Sequence, residues 1–206
     1  DRSPVTVADF ASQAVVCRLL ETSFADVPVV GEEGADALSG DENGAMRQKV
    51  VAMVREAMPD AEESQVLQWI DRGAHTGGAG SRFWTLDPID GTKGFLRKEH
   101  YAVALALIED GEVVMGVLGC PGMNVHGQTK PGLVMAAAKG EGTRVLPLRG
   151  CGFVGSEPVT TDGLSQTSKA RFCESVESGH SDQGASAAIA QALGITAALV
   201  RMGSQG

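Results

Sequence analysis

The amino-acid sequence predicts a layered α/β protein, because helical and strand patterns occur together in one chain of 206 residues. Residues 5–24 carry apolar side chains at helical spacing, which predicts an amphipathic helix. Residues 101–121 instead contain two apolar runs joined by Glu-Asp-Gly-Glu, the pattern of a β-hairpin. With 43% hydrophobic residues, the chain can form one compact domain or two small layered subdomains that share an interface.

Further elements follow in order along the first half of the chain. After the first helix the patterns predict a strand at 27–30, an exposed loop at 34–44, helices at 42–58 and 62–71, and a buried strand at 83–86. The Gly-rich stretch at 73–80 does not match the dinucleotide-binding motif, and it precedes a strand where that motif follows one. Dinucleotide binding is therefore not expected.

The second half alternates strand and helix patterns as well. Strands are expected at 133–138 and 143–148, a polar connection at 157–169, a strand at 171–176, a helix at 185–193 and a strand at 198–202. Ser181 or Asp182 would cap that helix, and Gly194 would end it.

Composition narrows the classes of partner and compartment. The net charge is −9 and there is no basic run, which argues against duplex nucleic acid or an anionic membrane as partner. No apolar run reaches the roughly 18 residues of a membrane span, and no signal-peptide pattern occurs. The widely spaced cysteines and histidines fit neither a zinc site nor a disulfide framework; they are Cys17, Cys120, Cys151, Cys173, His75, His100, His126 and His180. We therefore expect free, mostly buried thiols and a reducing compartment, cytoplasmic or organellar.

The segment Asp-Pro-Ile-Asp-Gly at 87–91 carries the strongest chemical signal. Pro88 at the second position of a type I turn would bring the turn ends within about 7 Å, so that Asp87 and Asp90 converge. The carbonyl of Ile89 can join them, and such hard oxygen donors suit Mg²⁺ with phosphate completing its shell. An ordinary surface turn stays the alternative, since Asp, Pro and Gly are common turn formers. The flanking core strand and hairpin favour the functional interpretation, because they can present the turn rigidly.

Other acidic residues stand near the ends of predicted elements. Asp9 lies in the first turn of the first helix, where a carboxylate also serves as an ordinary cap. Glu32 and Glu33 directly follow the strand at 27–30. For Glu33 a solvated acidic loop is the preferred interpretation.

These motifs together resemble a known enzyme family. Val-Thr-Val-Ala-Asp-Phe at 5–10, Gly-Glu-Glu at 31–33 and Asp-Pro-Ile-Asp-Gly-Thr at 87–92 resemble the lithium-sensitive, Mg²⁺-dependent phosphomonoesterases, which include inositol monophosphatase and fructose-1,6-bisphosphatase. Lys93, the hairpin and the Glu-Ser-Val-Glu-Ser-Gly-His-Ser segment at 174–181 resemble the 3′(2′),5′-bisphosphate nucleotidase branch. That branch converts adenosine 3′,5′-bisphosphate to AMP and phosphate. The resemblance covers residues 1–205 and implies an αβαβα sandwich.

The resemblance also implies roles for individual residues. Glu32, Asp87, Asp90 and the Ile89 carbonyl would hold two or three Mg²⁺ ions, and Asp9 with Thr92 would orient the attacking water. The Thr92 hydroxyl would accept a hydrogen bond from that water and donate one to Asp9. Substrate contacts are implied for Asp90, Gly91, Thr92, His180 and Ser204.

Two departures from the family pattern affect these expectations. The family continues past Ser204-Gln205 to a Trp-Asp motif whose aspartate is another metal ligand, and it has a helix before Asp1. We therefore expect an incomplete C-terminal part, with residues 1–150 as an α+β subdomain carrying the metal site and 151–206 as a partial α/β subdomain carrying nucleotide contacts. The expected assembly is a monomer or weak dimer.

Three other interpretations remain open at this stage. The chain could be a non-catalytic remnant that binds metal or nucleotide weakly. It could be an acidic interaction domain without a site. It could also be a phosphatase that acts on inositol phosphates or on fructose bisphosphate.

Overall fold

The computed structural model describes residues 5–123, 132–148, 156–176 and 183–202. Its α-helices are α1 Val7–Ser23, α2 Gly44–Ala57, α3 Glu63–Asp71, α4 Thr92–Leu96 and α5 Gln183–Ala192. Its strands are β1 Val29–Val30, β2 Arg82–Asp90, β3 Ala102–Glu109, β4 Glu112–Cys120, β5 Leu133–Ala138, β6 Gly142–Pro147, β7 Glu157–Val159, β8 Cys173–Ser175 and β9 Val200–Met202. The predicted α/β class is confirmed.

Helix α1 begins at a capping box. Thr6 has extended backbone angles, and its hydroxyl accepts a hydrogen bond from the N–H of Ala8 at 3.1 Å. Asp9 accepts in return from the backbone N–H of Thr6 at 2.8 Å. Together these bonds satisfy N–H groups that the first turn of a helix leaves without partners.

One core lies between the helices. Small residues on α1, Ala11 and Ala14, allow the close approach of α2 and α3. The larger buried side chains of this cluster are Phe10, Leu38, Val50, Val51, Val54, Val66 and Ile70. The helical spacing of these positions is the periodicity that predicted the three helices.

A seven-stranded sheet supplies the second layer. Its strand order is β1 to β7 in sequence, with antiparallel neighbours except for β1, which runs parallel to β2. The other face of α1 packs on this sheet, where Cys17 and Leu20 meet Trp84, Leu86 and Leu107. The helical layer therefore covers one face of the sheet at β1, β2 and β3.

The predicted hairpin is confirmed. Strands β3 and β4 pair through Glu109 and Glu112, and the two residues between them, Asp110 and Gly111, have φ of 51° and 81°. Positive φ at both central residues is typical of the tight turns that match strand twist.

A smaller two-stranded sheet contains β8 and β9, which run parallel. Helix α5 connects these strands and ends before Gly194, whose φ of 67° suits a glycine after a helix. Gly194 thus acts as predicted, whereas Ser181 and Asp182 lie outside the described residues.

Two local expectations are met only in part. The predicted connection at 157–169 contains β7, which extends the large sheet at its edge, and a 3₁₀ helix at Thr167–Lys169. The loop expected at 34–44 contains a 3₁₀ helix at Ala35–Leu38, held in place because Ala35 and Leu38 enter the helical core. Residues 157–159 pair with β6. The division into parts at residue 150 stays a prediction.

The expectation of free, mostly buried thiols is confirmed in part. Cys17 and Cys120 are free and buried, as expected, but Cys173 is free and exposed. Cys151 lies outside the described residues. Within the described ranges, no helix combines the length and apolar character needed to cross a membrane.

Candidate functional site

The segment 87–90 lies at the end of β2. Asp87 pairs with Ala104, and Asp90 pairs with Ala102. Between these two pairs, β2 therefore contains one more residue than β3. The pairing register shifts here, as at a β-bulge, and the segment forms part of β2 where the sequence predicted a separate type I turn. Pro88 lies between the paired residues Asp87 and Asp90, where its missing N–H removes no bond between the strands, and the N–H of Ile89 donates to Oδ1 of Asp87 at 3.1 Å.

The chain reverses immediately after the bulge. Gly91 has φ of 84° and ψ of 44°, a left-handed conformation that favours glycine, and α4 begins at the next residue. The Thr92 hydroxyl donates to the Ile89 carbonyl at 3.1 Å. The rings of Phe95 and Tyr101 meet edge to face at 5.0 Å and fix α4 against the start of β3.

Asp87 lies on the sheet face that does not meet α1. Side chains alternate along a strand, so Thr85 and Asp87 point away from the face that carries Trp84 and Leu86. Asp87 lines a pocket of about 220 Å³, and the other residues that line it are Thr85, Ala104, Leu105, Ala106, Gly116, Val117 and Leu118. The carboxylate of Asp87 therefore borders a mostly apolar pocket.

Parallel pairing of β1 with β2 brings Glu32 to the same edge. Val30 is opposite Thr85, so two residues further along each chain Glu32 comes level with Asp87. Burial first, and then the charges of Glu32 and Asp90, raise the pKa of Asp87 to about 7, and a hydrogen bond between the Asp87 and Glu32 side chains adds to this. The charges of Glu32 and Asp90 therefore act on Asp87, and the role of these three residues as metal ligands stays a prediction.

Glu33 belongs to the same group of carboxylates. Burial first, and then the charges of Asp9, Glu32 and Asp87, raise the pKa of Glu33 to about 7. Glu33 is half-buried, so the preferred interpretation of a solvated loop is wrong. We call Asp9, Glu32, Glu33, Asp87 and Asp90 the acidic cluster.

Asp9 is buried, with 3% of its surface exposed. Its Oδ2 accepts hydrogen bonds from the backbone N–H of Thr6 and from the Thr6 hydroxyl, the latter at 2.6 Å. The predicted hydrogen bond from Thr92 to Asp9 is therefore replaced by two others in this structure. The single hydroxyl proton of Thr92 is directed at Ile89, and Asp9 is held by the helix cap.

Sequence reasoning missed Gln13. It lies one turn after Asp9 on α1, is completely buried, and forms hydrogen bonds to the segment that carries Glu32 and Glu33. An amide side chain among the apolar positions of an amphipathic helix was the available signal, since buried polar groups need partners.

The donors suit a divalent cation, although they do not form a closed cage. Within the ranges that the structure describes, no three His, Cys, Asp or Glu side chains converge closely enough to hold a metal ion as they stand. The acidic cluster nevertheless concentrates carboxylates, and burial first, then their mutual repulsion, raises the pKa values of Glu33 and Asp87 to about 7. Carboxylate and carbonyl oxygens are the donors that Mg²⁺ prefers, and a cation would relieve this repulsion. The chemistry of the site therefore fits Mg²⁺.

Comparison with known sequences decides the family. The sequence profile of the inositol monophosphatase family matches residues 1–205. The chain belongs to this family. The predicted family resemblance is thus confirmed.

Individual relatives indicate one branch of this family. The chain is 40% identical to a 3′(2′),5′-bisphosphate nucleotidase of Schizosaccharomyces pombe and 38% identical to one of Emericella nidulans, over 221 and 231 residues. Both matches cover 100% of this chain but 61% and 65% of the relative. The chain therefore spans less than two thirds of these relatives' length.

A solved structure supports the fold. The crystal structure described as inositol monophosphate bound SaIMPase-II aligns with 95% of this chain and 55% of its own, with a TM-score of 0.52 at 17% identity. At this identity the likeness concerns the fold alone, and it agrees with the layered α/β arrangement. His180 and Ser204, for which substrate contacts are predicted, lie outside the described residues.

Proposed function

We propose that this protein is an Mg²⁺-dependent phosphomonoesterase that hydrolyses adenosine 3′,5′-bisphosphate to AMP and phosphate. The observation that carries the proposal is the acidic cluster at the ends of β1 and β2, next to the left-handed Gly91 and the first turn of α4. The names of the relatives, 3′(2′),5′-bisphosphate nucleotidase, support the choice of substrate.

Glu32, Asp87, Asp90 and the Ile89 carbonyl are the proposed holders of two or three Mg²⁺ ions. Bound Mg²⁺ would offset the negative charge of the phosphate ester and make water a better nucleophile at neutral pH. The protein contributes a preorganised edge of the sheet, because β1, β2 and β3 are hydrogen-bonded to one another.

Thr92 is the proposed group that orients the attacking water. Its proton is donated to the Ile89 carbonyl, so its oxygen presents a lone pair that can accept a hydrogen bond from water. Asp9 is proposed to take up the proton through the cluster, and its position is fixed by Thr6. The N–H groups of Gly91 and Thr92, at the first turn of α4, are proposed to bind the phosphate.

The nucleotide is proposed to contact His180 and Ser204. A base and a ribose need a walled pocket with a few placed polar groups, whereas inositol presents only hydroxyl groups. The family match makes inositol 1-phosphate the competing substrate.

The test compares kcat/KM for adenosine 3′,5′-bisphosphate and inositol 1-phosphate on the full-length protein, with Mg²⁺ present. We expect the nucleotide to be preferred, and we expect His180→Ala to lower its kcat/KM while sparing the inositol ester. A preference for inositol 1-phosphate, or equal losses for both substrates in His180→Ala, would contradict the proposed substrate.

A further inference from the structure

Gln13 is completely buried at the centre of a hydrogen-bonded junction. Its Nε2 donates to the carbonyls of Glu33 at 2.6 Å and Ile70 at 2.8 Å. Its Oε1 accepts from the backbone N–H groups of Glu32 at 3.1 Å and Glu33 at 3.0 Å. A primary amide offers two N–H donors and two acceptor positions, so this side chain uses its whole hydrogen-bonding capacity.

Two glycines surround the amide closely. A Cβ at Gly31 would stand 2.6 Å from Oε1 of Gln13, and a Cβ at Gly73 would stand 2.6 Å from its Nε2. The N–H of Gly31 also donates to the carbonyl of Gly73 at 2.7 Å. The absence of side chains at both positions is what lets the amide enter between the end of β1 and the end of α3.

The segment held in this way carries two members of the acidic cluster. Residues 31–34 belong to no helix or strand, so regular pairing does not fix the backbone of Glu32 and Glu33. Both of their N–H groups and the carbonyl of Glu33 bond to Gln13. Asp9 lies on the same face of α1, one turn earlier, so a single helix face supplies one carboxylate and fixes two others.

We propose that Gln13 is a positioning residue for the metal site, which holds the peptide units of Glu32 and Glu33 so that their carboxylates reach Asp87. This inference rests on the proposed function, because it concerns the segment that carries Glu32, a proposed Mg²⁺ ligand, and its neighbour Glu33. Groups that orient metal ligands commonly change metal affinity by about 10–100-fold when they are lost.

A purely structural role makes a different prediction. If Gln13 only joined α1 to α3 through Ile70, its loss would lower stability and leave the affinity for Mg²⁺ unchanged. Mg²⁺ affinity measured on folded protein therefore separates the two roles.

The experiment measures the Kd of Mg²⁺ by calorimetric titration, together with the rise of Tm on adding Mg²⁺, in the full-length protein and in Gln13→Met. Methionine has a similar length but forms none of the four hydrogen bonds. We expect the Kd for Mg²⁺ to rise at least about 10-fold. The matched control is Cys17→Ala, a buried position one turn further along α1 that packs against the sheet, and its Kd should change less than about twofold.

Gly73→Ala provides a second variant if Gln13→Met does not fold. Its Cβ presses on Nε2 of Gln13 from the α3 side without altering any residue of the acidic cluster, and the Kd for Mg²⁺ should again rise several-fold. An unchanged Kd in either folded variant overturns the positioning role and leaves the proposed function intact. Altered Mg²⁺ binding in a protein that releases no phosphate supports the positioning role and contradicts the proposed function. A wild-type protein that binds no Mg²⁺ overturns both.

Discussion

Asp87→Asn should stabilise the metal-free protein at alkaline pH. Asp87 stands between Glu32 and Asp90, and burial together with these charges raises its pKa from 3.8 to about 7. Asparagine removes the charge but keeps an Oδ1 that can accept the hydrogen bond from the N–H of Ile89, found at 3.1 Å in the structure. The substitution therefore removes repulsion while preserving the local geometry of the bulge.

The sign follows from the two protonation states. A carboxyl whose pKa is raised in the folded protein disfavours the charged form there, so the free energy of unfolding falls as the pH rises from about 4 to about 7 and is level above this. Without solvent screening, this loss of unfolding free energy would be about 4 kcal/mol. Screening of the half-buried carboxyl reduces it to about 1–2 kcal/mol. For a protein of this size, that corresponds to a rise in Tm of roughly 2–8 °C.

The assay is thermal unfolding in chelator at pH 5 and at pH 8. We expect Asp87→Asn to have a higher Tm than the wild type at pH 8 and a much smaller advantage at pH 5, where Asp87 is still protonated in the folded wild type and only about 40% of its destabilising effect has developed. Adding Mg²⁺ at pH 8 should reverse the order, because the wild type gains a bound cation and the variant loses a ligand. A lower Tm for Asp87→Asn in chelator at pH 8 would refute the reasoning, since Asp87 would then be a structural residue.

Three further variants separate chemistry from folding. Thr92→Val should lower kcat about 100-fold with little change in the Kd for Mg²⁺, and Thr92→Ser, which keeps the hydroxyl, should recover most of the activity in the same phosphate-release assay. Equal activities of the two variants would contradict the role of the hydroxyl. Leu86 lies in the core between α1 and the sheet, so Leu86→Ala should lower the free energy of unfolding in urea by about 2–5 kcal/mol. The Kd for Mg²⁺ should stay unchanged. A large change in that Kd would show that this core is coupled to the site.

Periodicity in the sequence was sufficient to predict most elements of the fold. The helices α1, α2 and α3 each present buried residues at helical spacing, and the hairpin carries Asp110-Gly111 where positive φ is required. The short strand β7 was missed because its three residues are all exposed at the sheet edge, so no alternation of buried and exposed positions marks them.

The candidate site was predictable only in part. The residue types at 32, 87 and 90 indicated carboxylate chemistry, but turn propensities at Pro88 could not show that Asp87 and Asp90 both pair with β3. The roles of Glu33 and Gln13 were not predicted, because they depend on contacts between α1, the end of β1 and the end of α3. Such contacts between distant parts of the chain leave no local pattern in the sequence.

Phosphate release from adenosine 3′,5′-bisphosphate tests the central claim most directly. It should be measured on the full-length wild-type protein and on Asp90→Asn, each with Mg²⁺ and with excess chelator. We expect the wild type to release phosphate only with Mg²⁺, and we expect Asp90→Asn to remain folded but release almost none under either condition. Sustained release by the wild type in excess chelator, or near wild-type release by Asp90→Asn, would contradict the assignment of the acidic cluster as a metal-dependent phosphatase site.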